Sequence, residues 1–264
     1  MNVVVVTGAG SGIGRATSAR CRADGRLVVG LDLDPAGLEG TAKALGDGFA
    51  SVVGDVSTRD AHERAADAAE GLGTLAGWVN NAGVEIEARA HEVREADFDL
   101  TLAVNLKGVA LGCAVATGRF LAARTAGAVV NVSSVQAVAA FPAAFAYQAS
   151  KGGVDAITRQ VAVEYAPAGI RCNAVQPGAI DTPMSARSAG RLGDPEAEYQ
   201  AYAALHPLGR IGRAEEVAAV IAFLLGPDAS FVTGACIPVD GGASARCYAY
   251  PPAADIAGAA PEPA

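Results

Sequence analysis

The sequence predicts a single-domain α/β fold in which a doubly wound, seven-stranded parallel sheet carries helices on both faces. Three observations predict it. Short β-branched runs alternate with longer Ala-rich stretches of helical period, as expected of strands buried on both faces and joined by crossover helices. A glycine-rich turn directly follows the first run and opens the first helical stretch. The 264 residues are 51% hydrophobic and 18% charged but only 5% aromatic, which suits one sizeable core of small aliphatic side chains.

Taken in order, the first strand centres on Val3–Val6, and the turn from Thr7 to Gly14 leads into a helix through Ala16, Thr17, Arg20 and Cys21. The second centres on Leu27–Leu31, followed by the turn signal Asp34-Pro35-Ala36-Gly37. The third, fourth and fifth centre on Ala50–Val53, Gly77–Val79 and Ala128–Val132. Val154, Ile157, Val161 and Tyr165 mark a helix before the sixth strand, Ile170–Val175. Val217, Val220, Ile221 and Leu224 repeat at i, i+3, i+4, i+7 and stop at Gly226-Pro227, ahead of the last strand at Cys236–Val239. Between these lies Ser185–Pro207, longer and more polar than a usual connection, which suits either a lid or a solvated excursion. No linker interrupts residues 1–243, the expected catalytic domain; 244–264, rich in Ala and Pro, is expected to be an extended tail that orders only against a neighbouring subunit.

Composition excludes several functions. A net charge of −8 and a pI near 4.9 argue against nucleic acid, whose phosphates need clustered Lys and Arg. The start has neither a basic signal region nor an apolar span, so a cytoplasmic protein with no membrane partner is expected. Cys21, Cys113, Cys172, Cys236 and Cys247 form no C-x-x-C pair, and His62, His91 and His206 form no H-x-x-x-H pattern. Reduced thiols and no metal are expected.

The chemistry begins in the turn, where Gly8, Ser11, Gly12, Ile13 and Gly14 suit a pyrophosphate: glycine admits close approach, and the helix N-terminus offers unpaired amides. Asp32, 18 residues past Gly14 at a strand end, suits the two hydroxyls of an adenosine ribose and repels a 2′-phosphate. NAD is therefore expected over NADP. The same aspartate also suits the turn before Pro35, and both roles are compatible. Tyr147 and Lys151 stand at i, i+4 on one helix face, where an ammonium is expected to lower a phenol's pKa toward the working range. Ser134 ends the fifth strand, where open α/β sheets keep their chemistry, and can hydrogen-bond a substrate oxygen.

With these residues the chain resembles the short-chain dehydrogenase/reductase family from Met1 to about Ala243, through Thr7 to Gly14, Asn80-Asn81-Ala82-Gly83, Ser134, Tyr147, Lys151 and Pro177-Gly178. The resemblance implies a Rossmann sheet and an NAD(P)-dependent oxidoreductase of alcohols and carbonyls. It implies Tyr147 as general acid/base, Ser134 as the group orienting the substrate oxygen, and Lys151 on the nicotinamide ribose. Asn105 would hold a water on the proton relay. Asp55 and Val56 would contact adenine, Asn81, Ala82 and Gly83 would pass the adenosine ribose, and Pro177, Gly178, Ile180 and Thr182 would fix the nicotinamide end. It further implies a homodimer or homotetramer packed through the Asn105 and Tyr147 helices.

Adjacency nominates Glu85, Ser134, Gln136, Phe141, Phe145, Gln148 and Met184, with the loop from Met184 to His206, as the wall around a small alcohol or carbonyl substrate. Phe141 and Phe145 equally suit ordinary core. Two rival readings are an NADPH-dependent ketone or 3-oxoacyl reductase and a dinucleotide sensor without turnover.

Overall fold

The computed structural model describes residues 1–188 and 194–247. Its sheet has seven parallel strands: β1 (Asn2–Thr7), β2 (Leu27–Asp32), β3 (Phe49–Val53), β4 (Thr74–Asn80), β5 (Gly127–Val132), β6 (Ile170–Pro177) and, after a two-strand excursion, β9 (Cys236–Val239). Their order, β3-β2-β1-β4-β5-β6-β9, winds outward in both directions from β1. Each expected strand is present and pairs in the sheet.

The valines of β1 show how the core divides. Val3 and Val5 point to one face, Val4 and Val6 to the other, and all four are buried. The first face is covered by α3 (Arg59–Leu72), α5 (Gly108–Ala123) and α6 (Phe145–Tyr165), through Ala65, Phe120 and Val154 among others. The second is covered by α1 (Gly12–Ala23), α2 (Pro35–Leu45) and α9 (Ala214–Leu225), through Cys21, Leu38 and Ile221. Burying each such valine or leucine contributes roughly 1.5 kcal/mol or more, so a chain of small aliphatic residues holds two faces without many aromatics.

A buried polar chain fixes the strand ends at which the site lies. Trp78 Nε1 donates to Asn80 Oδ1 (2.9 Å), Asn80 Nδ2 to Asn131 Oδ1 (2.8 Å), and Asn131 Nδ2 to Thr158 Oγ1 (2.9 Å). These bonds join β4, β5 and α6 in a low-dielectric interior, where leaving any one group unpaired is costly.

The helical run Glu95–Ala123 comprises α4 (Glu95–Leu102), a π turn (Ala103–Lys107) and α5. It is long and apolar enough, by length and composition, to cross a membrane, yet half of its most apolar window is buried and α5 packs on β4 and α3.

Three features differ from expectation. The polar stretch Ser185–Pro207 is mostly helical: α7 (Pro183–Ser188) and α8 (Pro195–Leu205) occupy it, the latter started by Asp194, whose side chain accepts from Glu196 N. Residues 189–193 lie outside the described residues. The excursion is bracketed by β7 (Ile180–Asp181) and β8 (Gly212–Arg213), which pair with each other in a small second sheet; two-residue strands leave no periodicity to read. At the C-terminal end the chain does not become extended at Ser244. Asp240 accepts from Gly242 N (3.0 Å) and Ser244 N (2.7 Å), holding a 3-10 turn over Ala243–Ala245, and Arg246 donates to Ala204 O (2.9 Å). The rest of the tail, from 248, lies outside the described residues.

Candidate active site

The expected site residues gather at the carboxyl ends of the strands. In the glycine turn, Gly8 and Gly12 take positive φ (67° and 49°). Gly14 packs so closely that a Cβ there would lie 2.0 Å from Gly8 O. Ser11 precedes α1 in extended conformation, exposed, with its side chain making no capping bond to the first-turn amides; Ile13 packs partly buried against the second core. A Cβ on Gly12 would stand 3.3 Å from Thr182 Cβ and Cγ2. The turn expected to hold the pyrophosphate therefore lies against the segment expected at the nicotinamide end, at the N-terminus of α1, whose unpaired amides suit a pyrophosphate.

Asp32 takes the turn role foreseen for it. Its Oδ2 accepts from Gly10 N (2.7 Å) and its Oδ1 from Asp34 N (2.9 Å), so the carboxylate is fixed at the strand end with lone pairs to spare. The neighbouring Arg15 is committed elsewhere: its guanidinium donates to Thr41 Oγ1 (3.0 Å), Gly37 O (3.2 Å) and Gly10 O. Leu33, next to Asp32, is 70% exposed.

Asp55 caps the turn after β3 by accepting from Ser57 N (2.8 Å), and Val56 is buried, its carbonyl accepting from His62 Nε2 (2.8 Å). Asn81 is a brace: Nδ2 donates to Thr7 O (2.9 Å) and Gly8 O (3.3 Å), while the Asn81 and Ala82 amides donate to Thr7 Oγ1 (2.9 and 3.0 Å). A Cβ on Gly83 would lie 3.4 Å from Asn105 Oδ1 and 3.9 Å from Lys151 Nζ, which places that turn beside the lysine. At the far end, Gly178 N donates to Val239 O (3.1 Å), carrying on from Pro177 at the end of β6. Ile180 is buried in β7, and Thr182 N donates to Ser185 Oγ (3.0 Å), an oxygen that also lies 2.8 Å from Ile180 O. Ser185, expected only as part of the Met184–His206 loop, thus shapes the Ile180–Thr182 turn.

Asn105 is fully buried in the π turn, and its side chain is a clamp. Oδ1 accepts from Val84 N (2.8 Å), and Nδ2 donates to Val84 O (2.8 Å) and Ser150 Oγ (3.3 Å). Its amide group is spent on protein atoms.

Tyr147 and Lys151 stack on α6 as their spacing requires, with Nζ 5.4 Å from the phenol ring centroid. Nζ is buried and donates to Val132 O (2.7 Å); burial pushes the ammonium down to about 8, against the opposing pull of Glu85 and Asp155. Ser134 stands beside the phenol and favours its ionised form, while Ser133 faces the other way and donates to Lys151 O (3.3 Å). One expectation is reversed here. The phenol is held well above its ordinary value, first by burial and then by the Glu85 carboxylate, with only Ser134 pulling downward. The ammonium lies over the ring and bonds a backbone carbonyl, so on its own it does not bring the tyrosine toward neutrality.

The expected substrate wall is partly assembled. Gln136 N donates to Ser134 Oγ (3.1 Å), and Gln136 Nε2 lies 3.5 Å from Glu85 Oε1, bringing that pair beside the tyrosine. Gln148 is a loop clamp, accepting from Phe141 N (3.4 Å) and donating to Ala139 O (3.1 Å). Phe145 does not join Phe141: it is 46% exposed and packs its ring against Phe98 of α4, centroids 6.2 Å apart. Met184 sits partly buried in α7. Among the described residues, no group of three or more His, Cys, Asp or Glu is placed to hold a metal ion.

A family model described as enoyl-(acyl carrier protein) reductase matches residues 8–244. The chain is 41% identical over 247 residues to 2-(R)-hydroxypropyl-CoM dehydrogenase of Xanthobacter autotrophicus, covering 90% of this chain and 97% of that protein. The crystal structure of levodione reductase superposes with a TM-score of 0.89 at 38% identity, covering 94% of this chain and 98% of the other. A 3-ketoacyl-(acyl-carrier-protein) reductase of Brucella melitensis, complexed with NADH, superposes with a TM-score of 0.84 at 33% identity, covering 92% and 98%.

Proposed function

Because this chain belongs to the short-chain dehydrogenase/reductase family and is an oxidoreductase of CH–OH substrates, we propose that it passes hydride between NAD and a secondary alcohol or its ketone, with Tyr147 as the general acid/base. One observation carries the reading: a half-buried phenol beside Ser134, with a buried ammonium 5.4 Å from its ring, at the end of β5 and near the glycine turn. NAD, when bound, supplies the hydride acceptor or donor.

The protein's own groups handle the oxygen and its proton. Tyr147 Oη exchanges a proton with the substrate oxygen, and Ser134, beside the same phenol, orients that oxygen. A pair of hydroxyls converging on one oxygen suits a carbinol or carbonyl. Lys151 spends one N–H on Val132 O and keeps two, for the nicotinamide ribose and for proton exchange. Since the Asn105 side chain is occupied by Val84 and Ser150, a relay water belongs on a main-chain carbonyl, the group that a π turn releases from its ladder.

Preference for NAD over NADP is supported by Asp32 at the ribose position and by the commitment of Arg15 to Thr41, Gly37 and Gly10. A 2′-phosphate would meet a fixed carboxylate beside an apolar Leu33. We further propose a cytoplasmic homodimer or homotetramer. Exposed Leu100, Leu121, Phe145 and Val163 on α4, α5 and α6 support contact through those helices.

The test is direct. A panel of secondary alcohols with NAD, and of ketones with NADH, is followed at 340 nm for the native chain and for Tyr147→Phe. Turnover by the native chain that is lost in the variant supports the assignment; no turnover across the panel, with NADH still bound, favours a sensor.

A further inference from the structure

We infer that His206 is a positioning residue for the nicotinamide end of the cofactor site, latching the end of α8 to the Gly178–Ile180 segment. The inference rests on the reading that this segment fixes the nicotinamide end of the cofactor.

His206 follows α8 and is only 4% exposed. Its Nε2 lies 3.1 Å from Ala179 N, which can only donate, so Nε2 carries no proton. Nδ1 therefore holds the ring proton and donates it to Tyr202 O at 2.8 Å. Both ring nitrogens are committed, in one neutral tautomer. On its other side the same residue is held by Gly212 N, which donates to Ala179 O (2.9 Å), and its neighbour by the Gly178 N bond to Val239 O. The two residues before Ile180 are thus gripped from the end of α8, from β8 and from β9. A Cβ at position 178 would lie 2.5 Å from His206 Nε2, so Gly178 is what admits the ring.

A cavity of about 270 Å³ adjoins the latch, lined by Ala179, Ile180, His206, Arg210 and Asp240 among others. It is room into which the segment can move when the imidazole does not hold it. The charged groups around it are otherwise engaged: Asp240 with the Gly242 and Ser244 amides, and Arg210 with Glu216 at 2.6 Å. That leaves His206 Nε2 as the acceptor for the Ala179 amide.

Two variants of the full chain separate a latch from a mere filler. In His206→Asn an amide N–H stays within reach of Tyr202 O, but nothing reaches the Nε2 position. In His206→Gln the amide oxygen extends to the Nε2 position. Dissociation constants are measured for NADH and for AMP, which carries only the adenosine half. The expected result is NADH binding weakened about five- to fiftyfold in His206→Asn, the loss of one buried hydrogen bond, with AMP binding unchanged and most NADH affinity restored in His206→Gln. Native NADH affinity in His206→Asn, equal losses of NADH and AMP, or no restoration by glutamine would each overturn the latch. Failure of the native chain to bind NADH or NADPH overturns the cofactor reading itself, and the latch with it, before any variant is compared.

Discussion

Lys151 and Tyr147 are one helical turn apart, yet the ammonium hydrogen-bonds Val132 O at 2.7 Å and meets the face of the phenol ring at 5.4 Å from its centroid. Their coupling therefore runs through a shared low-dielectric space in which burial pushes both groups toward their neutral forms, the phenol upward and the ammonium down to about 8. A neutral phenol and a lysine that readily yields its proton are the starting states for proton transfer.

Replacing Tyr147 by Phe removes only the exchanging hydroxyl. The expected outcome is a fall in kcat of about 10²–10⁴-fold, with NADH affinity close to native; steady-state rates and a fluorescence titration check both halves.

The pH dependence follows from Glu85. Its carboxylate opposes phenolate formation at Tyr147, so the phenol stays protonated to higher pH and oxidation gains rate as pH rises through the tyrosine's apparent value. Glu85→Gln removes the opposing charge and is expected to move that rising limb of kcat/KM toward lower pH. A pH–rate profile of alcohol oxidation in native and variant chains measures the shift, and movement in the opposite direction would contradict this electrostatic account.

Asp32→Asn keeps a side chain able to accept from Gly10 or Asp34 while deleting the charge. The preference for NAD over NADP, as a ratio of kcat/KM values, is expected to fall by roughly tenfold or more, since repulsion of the 2′-phosphate disappears.

Gly14→Ala would put a methyl 2.0 Å from Gly8 O and 2.6 Å from Asn81 Nδ2. Neither the turn nor its brace can yield without breaking bonds that hold β1 to β4. A loss of about 3 kcal/mol is expected from such overpacking, read as a lower midpoint in urea denaturation, together with weaker NADH binding.

Much of this molecule is written locally. The four valines of β1, the glycine turn ahead of α1, the i, i+3, i+4, i+7 series of α9 and the Tyr147–Lys151 spacing each lie within one or two helical turns, and each is found where its pattern put it. The two-residue strands β7 and β8 were invisible because neither is long enough to show a period. The helices within Ser185–Pro207 were hidden by polar composition, with Asp194 and Pro195 their main signal. The bonds of Ser185 and His206, residues foreseen only as part of the Met184–His206 loop, had another reason to stay hidden: a single polar side chain carries no record of which backbone it will bond.

Sequence alone determined the sheet, its helical cover, the dinucleotide turn and the pairing of a phenol with an ammonium, because these depend on neighbours in the chain. Only tertiary structure decided the ionisation of that pair, the engagement of Arg15 away from Asp32, the clamp of Asn105 on Val84 and the bond from His206 to Ala179. Desolvation and hydrogen-bond partnership are sums over atoms brought together from distant segments, and those sums exist only once the chain has folded.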